Sequence, residues 1–219
     1  MPTVQLKNAA TGTVDMPVVG AGTGGYTGDA QVYGAYPECF NACYWPTCAE
    51  PDPANFSSSG HDCHENVQAS IATWISLGGR RIDGSASYHS QRHVTLVMNA
   101  SGVPRSEFFL TTKVGPYLTM GYNETMHQLE TTLRETDPTG FLLGYVDLAL
   151  VHWPSCASGG GCAPDAFSPV SSDPPCIAGS STYDEVACRL STYRALVDAW
   201  HSGRARAIGV VSMRFVWTL

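Results

Sequence analysis

The sequence has no long apolar run. A helix that crosses a bilayer needs roughly 18 or more consecutive apolar residues, and the most apolar segment, residues 141–153, contains Asp147 and His152. The opening residues, MPTVQLKNAATG, also lack the basic start and apolar stretch of a signal peptide. We therefore expect no membrane association and a cytoplasmic location.

Basic residues are few. The 219 residues include 12 Lys and Arg against 19 Asp and Glu, which gives a formal net charge of −7 at pH 7. The basic residues are scattered, whereas a protein that binds nucleic acid presents a basic face to the phosphates. The composition therefore argues against a nucleic-acid partner.

Cys-x-x-Cys pairs are absent, although the chain has eight cysteines. They fall in or beside two segments rich in Pro, Gly and Ser, at about 27–63 and 155–182, which we interpret as loop insertions. The first group is Cys39, Cys43, Cys48 and Cys63, and the second is Cys156, Cys162, Cys176 and Cys188.

Three states of these cysteines are open. Even numbers in loop-rich segments suggest disulfides, within each group or between the two, and eight cysteines allow 105 pairings. Zinc binding is the weaker alternative, because His61 and His64 merely flank Cys63, and we expect no metal site. Free thiols would suit a reducing cytosol, whereas disulfides would leave a secreted or luminal location open.

Strand-like and helical patterns alternate along the chain. A hairpin around residues 10–12 leads into a first strand, and further strands are predicted at 80–86, 108–114, 146–152 and 206–210. Helices are predicted at 64–78, 90–100, 122–135 and 183–201. The last helix is expected to have one apolar side, formed by Val186, Leu190, Tyr193, Leu196, Val197 and Trp200. The alternation predicts an α/β fold, an incomplete (β/α)8 TIM barrel with about five of its eight strands.

Three of the predicted strands end in residues capable of proton chemistry. These residues are Asp83 with Tyr88, then Lys113, then His152. Parallel barrels build their active sites at the C-terminal ends of strands, so we expect these side chains to meet.

The four residue types suit proton delivery to a carbonyl oxygen. A nearby ammonium such as that of Lys113 favours the phenolate form of Tyr88, and a buried lysine needs a counter-charge, for which Asp83 is available. His152 can hydrogen-bond the carbonyl oxygen while Tyr88 donates a proton to it. No nucleophile with a neighbouring base is recognisable, and a nicotinamide hydride is the natural complement at the carbonyl carbon.

Five fragments in order resemble the aldo-keto reductase family. They are MPVVGAGT (16–23), RRIDGSASY (80–88), SGVPRSEFFLTTKV (101–114), VDLALVHWP (146–154) and GRARAIGV (203–210). The resemblance implies one partial domain over residues 1–219, with 211–219 as a tail outside the family pattern. It also implies NADP(H)-dependent reduction of an aldehyde or ketone to an alcohol.

Functional residues are implied by the same fragments. The family's catalytic tetrad falls on Asp83, Tyr88, Lys113 and His152. Cofactor contacts are implied for Gly22, Thr23 and Asp83, and contacts to a small carbonyl substrate for His152 and Trp153. The family's Ser-Asn pair after the fifth strand, which holds the nicotinamide, has no clear counterpart after Val210.

Barrel material is missing from a chain of this length, since such barrels generally take about 250 residues. Five strands would leave two unpaired edges and an exposed apolar interior. We therefore expect weak stability and no reductase turnover unless another chain completes the barrel. A catalytically inactive truncated fragment and a disulfide-stapled binding module on a decayed barrel are the two alternatives.

Overall fold

A computed structural model describes residues 1–9, 12–24, 65–88, 90–114, 120–135, 137–152, 173–176 and 181–211. The first predicted insertion, most of the second, and nearly all of the predicted tail lie outside these ranges, as does Trp153. Within the ranges, no helix combines the length and the apolar character that a membrane crossing requires.

Seven strands of the described chain form one sheet. They are β1 (Thr3–Ala9), β2 (Gly12–Pro17), β3 (Ala21–Gly22), β4 (Arg81–Asp83), β5 (Phe109–Val114), β6 (Val146–Val151) and β7 (Ala205–Val210). Their order across the sheet is β2-β1-β7-β6-β5-β4-β3. Neighbours from β3 to β7 pair in parallel, whereas β1 pairs antiparallel with β2 and β7.

Helices lie between successive parallel strands. In the described ranges they are α1 (Glu65–Ser76), α2 (Gln91–Ala100), α3 (Tyr122–Glu130) and α4 (Glu185–His201), and a π-helical turn (Thr131–Glu135) extends α3. The strand and helix bounds agree with those predicted from the sequence to within a few residues, except that α3 ends in the π-helical turn. The architecture is the predicted incomplete α/β barrel, with five parallel strands and an N-terminal hairpin.

Local sequence explains how α4 begins and ends. The Asp184 carboxylate accepts hydrogen bonds from the backbone N–H groups of Val186 and Ala187 at 2.9 and 3.0 Å, which satisfies donors that a helix leaves unpaired at its start. At the other end Gly203 has a φ of +79°, a conformation that glycine adopts without steric cost. The helix ends at His201, as the sequence predicted.

The hairpin covers part of the barrel interior. A cluster inside the sheet joins Val14 of β2 to Phe109, Leu148 and Ala207 of the parallel strands, and only 3% of Phe109 and 8% of Leu148 is exposed. The backbone of Ala9 also pairs with Ala207 at the β7 edge. The expectation of an exposed apolar interior was therefore wrong for this end of the barrel, because the hairpin packs there.

The apolar side predicted for α4 was wrong in part. Val186 and Leu190 are 63% and 66% exposed among the described residues, whereas Leu196 is fully buried. The buried face is formed by Cys188, Thr192, Ala195, Leu196 and Ala199. The Thr192 hydroxyl donates to the Cys188 carbonyl at 3.0 Å and accepts from the Gly121 N–H at 2.7 Å. A polar residue can therefore occupy this face, because its hydroxyl is hydrogen-bonded.

A buried ionic cluster joins the N-terminal ends of β5, β6 and β7. The fully buried Asp147 carboxylate binds Arg105 Nη2 at 2.8 Å and Arg206 Nη1 at 2.7 Å, and it accepts from the Leu110 N–H at 2.9 Å. Arg105 also donates to two backbone carbonyls and lies 4.1 Å from the centroid of the Tyr145 ring. The cluster fixes the strand starts, at the end of the barrel opposite the predicted site.

One disulfide is present in the described part of the chain. It joins Cys176, in the 3-10 turn Pro174–Cys176, to Cys188 of α4. Both residues are buried and pack with Met120. This is one of the pairings that the sequence left open, and the remaining cysteines lie outside the described residues.

Reducing this disulfide should lower the free energy of unfolding by about 3 kcal/mol, because the bond closes a loop of 12 residues in the unfolded chain. Urea unfolding with and without reductant measures the loss. A Cys176→Ser, Cys188→Ser variant is the control, since its response to reductant should be smaller. Recovery of Cys176 and Cys188 as free thiols from the unreduced, folded protein would contradict the assignment.

Candidate active site

The ends of three parallel strands bring the predicted residues together. Asp83 is the last residue of β4, Lys113 is next to last in β5, and His152 directly follows β6. Tyr88 ends the 3-10 turn Ala86–Tyr88, which follows β4. Because the strands are parallel and paired in register, all four residues lie at one end of the sheet.

Lys113 is the buried centre of this group, with only 7% of its side chain exposed. Its ammonium has three hydrogens to donate, and the structure provides three acceptors. It forms an ion pair with Asp83, and it donates to the Gly84 carbonyl at 3.0 Å and to Tyr88 Oη at 3.3 Å. The buried charge is thus both neutralised and hydrogen-bonded, as such a charge requires.

The Tyr88 hydroxyl lies between two nitrogen atoms. Its Oη is 3.3 Å from Lys113 Nζ and 3.4 Å from His152 Nε2. The Tyr88 and His152 rings meet edge to face, with centroids 5.5 Å apart and planes inclined at 78°. Tyr88 is only partly buried, whereas Lys113 and His152 are buried. The phenol is therefore the member of this trio that is most accessible to a ligand from solvent.

Sequence reasoning missed Ser85, which lies behind His152. Ser85 is fully buried, and its Oγ is 3.1 Å from His152 Nδ1 and 3.3 Å from the Lys113 carbonyl oxygen. The available signal was its place in the chain, two residues after Asp83 in the segment that leaves β4. Its position just after the end of β4 was reason enough to predict Ser85 as a site residue.

The residues predicted to hold a cofactor have two different environments. Gly22 is exposed and pairs with Asp83 in the ladder between β3 and β4, and a Cβ added to it would meet no atom within 4 Å. Thr23 is fully buried, and its N–H and hydroxyl donate to the Asp83 carbonyl at 3.0 and 3.1 Å. Gly22 therefore leaves open space beside Asp83, whereas the Thr23 side chain holds the Asp83 backbone.

A model of the Aldo/keto reductase family matches residues 58–219, a span that includes all four predicted catalytic residues. The chain belongs to the aldo/keto reductase family. Among curated relatives, glyoxal reductase of Bacillus subtilis is 30% identical over 152 residues, which cover 69% of this chain and 41% of that protein. An aldo-keto reductase of Mycobacterium avium is 36% identical over 92 residues, which cover 42% of this chain and 30% of that protein.

Solved structures of the family show the same fold. An aldo/keto reductase from Brucella melitensis superposes with a TM-score of 0.58 at 21% identity, covering 98% of this chain and 55% of that one. A Bombyx mori aldo-keto reductase, crystallised with NADP, gives a TM-score of 0.55 at 22% identity, covering 95% of this chain and 50% of that one. The chain therefore spans about half or less of each of these relatives.

Proposed function

We propose that this site reduces an aldehyde or ketone to an alcohol with NADP(H), and that Tyr88 donates the proton. One observation carries the proposal: Tyr88 Oη lies 3.3 Å from a buried ammonium and 3.4 Å from an imidazole nitrogen. Both distances suit general acid catalysis, because catalytic hydrogen bonds are often this long without substrate and shorten when substrate binds. The family of the chain supports the reaction class.

Each side chain has a distinct part in the proposed reaction. As hydride adds to the carbonyl carbon, the electron pair of the C=O bond moves to oxygen, which takes the proton of Tyr88. The Lys113 ammonium stabilises the phenolate left behind, and Asp83 holds that ammonium in place. His152 lies beside the Tyr88 oxygen, where it orients the groups that exchange the proton.

NADPH, when bound, supplies the hydride. The described residues fit such a group at one place, the open space beside Gly22 and the partly exposed Asp83. The Thr23 hydroxyl donates its hydrogen to the Asp83 carbonyl, so it could contact a cofactor only as an acceptor. Trp153, predicted to touch substrate, lies outside the described residues and stays a prediction.

A binding module stapled by disulfides is the second candidate, favoured by the Cys176–Cys188 bond. Two assays separate it from the reductase. Quenching of tryptophan fluorescence reports NADPH binding, and the loss of NADPH absorbance with an aromatic aldehyde reports turnover. The reductase predicts both, with an amount of alcohol equal to the NADPH consumed. NADPH binding without turnover would support the binding module, and neither signal would support an inactive fragment.

A further inference from the structure

Ser85 has no assigned role in the proposed chemistry, although its hydroxyl lies between two groups of the site. Its Oγ is within hydrogen-bond distance of His152 Nδ1 at 3.1 Å and of the Lys113 carbonyl oxygen at 3.3 Å. A buried hydroxyl that hydrogen-bonds one nitrogen of an imidazole constrains both the orientation of the ring and the position of its hydrogen.

The four contacts around this group form a ring that begins and ends at Lys113. Lys113 Nζ contacts Tyr88 Oη, which contacts His152 Nε2. On the other side of the imidazole, His152 Nδ1 contacts Ser85 Oγ, which contacts the Lys113 carbonyl oxygen. The ring therefore links Lys113 of β5 to residues that follow β4 and β6.

The direction of every bond in the ring follows from its two ends. An ammonium can only donate a hydrogen bond, and a carbonyl oxygen can only accept one. The Tyr88 and Ser85 hydroxyls and a neutral His152 imidazole carry one hydrogen each. All four contacts are hydrogen bonds only if Tyr88 donates to Nε2, Nδ1–H donates to Ser85, and Ser85 donates to the carbonyl.

We propose that Ser85 is a positioning residue that holds neutral His152 as the Nδ1–H tautomer, with the Nε2 lone pair facing the Tyr88 hydroxyl. This inference rests on the proposed function of the site. In this state His152 orients the hydrogen of Tyr88, and a carbonyl must draw that hydrogen away from Nε2. Donation from Nε2 to a carbonyl then requires the imidazolium form.

Nitrogen-15 NMR of the 219-residue protein tests the tautomer directly, because protonated and unprotonated ring nitrogens resonate far apart. The chain has seven histidines, so the His152 signals are assigned by their loss in a His152→Gln variant. Spectra are recorded above the pH at which these signals stop titrating. Wild-type protein should show a hydrogen on Nδ1 and none on Nε2. A hydrogen on Nε2 would overturn the proposal, and this result does not depend on any Ser85 variant.

Removing the Ser85 hydroxyl is the second part of the test. Ser85→Ala should shift His152 toward the Nε2–H tautomer, because Nδ1–H loses its Oγ acceptor, with KM for NADPH unchanged. Ser85→Thr, which keeps the hydroxyl, should restore the wild-type tautomer. Ser202→Ala removes a hydroxyl bonded only to Ala199 O among the described contacts, and it should leave the His152 signals unchanged.

Two outcomes separate this inference from the proposed function. If Ser85→Ala keeps the wild-type tautomer, Ser85 does not position His152, whatever the activity. If the wild-type protein shows the Nδ1–H tautomer but no NADPH-dependent reduction, the positioning role stands and the proposed function fails.

Discussion

Replacing Tyr88 with phenylalanine is expected to slow carbonyl reduction about 10²- to 10⁴-fold, the usual contribution of a general acid. Phenylalanine keeps the ring that packs edge to face against His152, but it has no proton to give. Lys113 keeps two of its three acceptors, Asp83 and the Gly84 carbonyl, so the site should stay assembled. The measurement is kcat with saturating NADPH and aldehyde, together with the NADPH dissociation constant, which should not change.

Tyr122→Phe is the matched control for this loss. Tyr122 Oη donates to Asp198 at 2.8 Å, and this hydrogen bond to a carboxylate raises the pKa of Tyr122. The variant also loses one phenolic hydroxyl and one hydrogen bond, but it does so on α3, outside the candidate active site. Its kcat should match that of the wild type. If Tyr88→Phe also kept the wild-type kcat, Tyr88 would not be the proton donor.

Replacing Asp147 with alanine should lower the free energy of unfolding by about 3–5 kcal/mol, the cost of leaving a buried charge without its partner. Arg105 would lose that partner, and 2% of its side chain is exposed. The N–H of Leu110 would lose its acceptor as well. Since these contacts join the starts of β5, β6 and β7, urea unfolding followed by circular dichroism measures the loss.

Glu107→Ala is the matched control for the buried charge. It breaks the ion pair between Glu107 Oε2 and Arg80 Nε, which are 3.5 Å apart. The Glu107 side chain is 56% exposed. Exposed pairs contribute about 1 kcal/mol or less. Equal losses in Asp147→Ala and Glu107→Ala would show that the buried cluster is not what stabilises the strand starts.

The sequence was sufficient for the strand ends and for the residues placed there. Phe109 to Val114 consists of apolar and β-branched residues, which favour a strand, except for Lys113, which lies one residue before its end. A polar residue at that position, repeated at Asp83 and His152, predicts a shared site because parallel strands end on the same side. The contacts within the site follow from this register.

Features that depend on distant contacts could not be predicted in this way. Ser85 is an ordinary small residue in the sequence, and its role depends on the path of the chain from β4 into the 3-10 turn. Pairing of the hairpin with β7 joins Ala9 to Ala207, across nearly the whole chain. The exposure of Val186 and Leu190 depends on which face of α4 the sheet and α3 leave open. Helical periodicity alone does not show which face of a helix the rest of the protein covers.

The transfer of labelled hydrogen tests the central claim most directly. NADPH carrying deuterium at both C4 positions is mixed with an aromatic aldehyde and the wild-type protein, and the alcohol is analysed by mass spectrometry and NMR. The account predicts one deuterium on the carbinol carbon of every product molecule, and almost no product with Tyr88→Phe although that variant binds NADPH. Consumption of NADPH without deuterated alcohol, or equal amounts of deuterated alcohol from the two proteins in the same time, would contradict it.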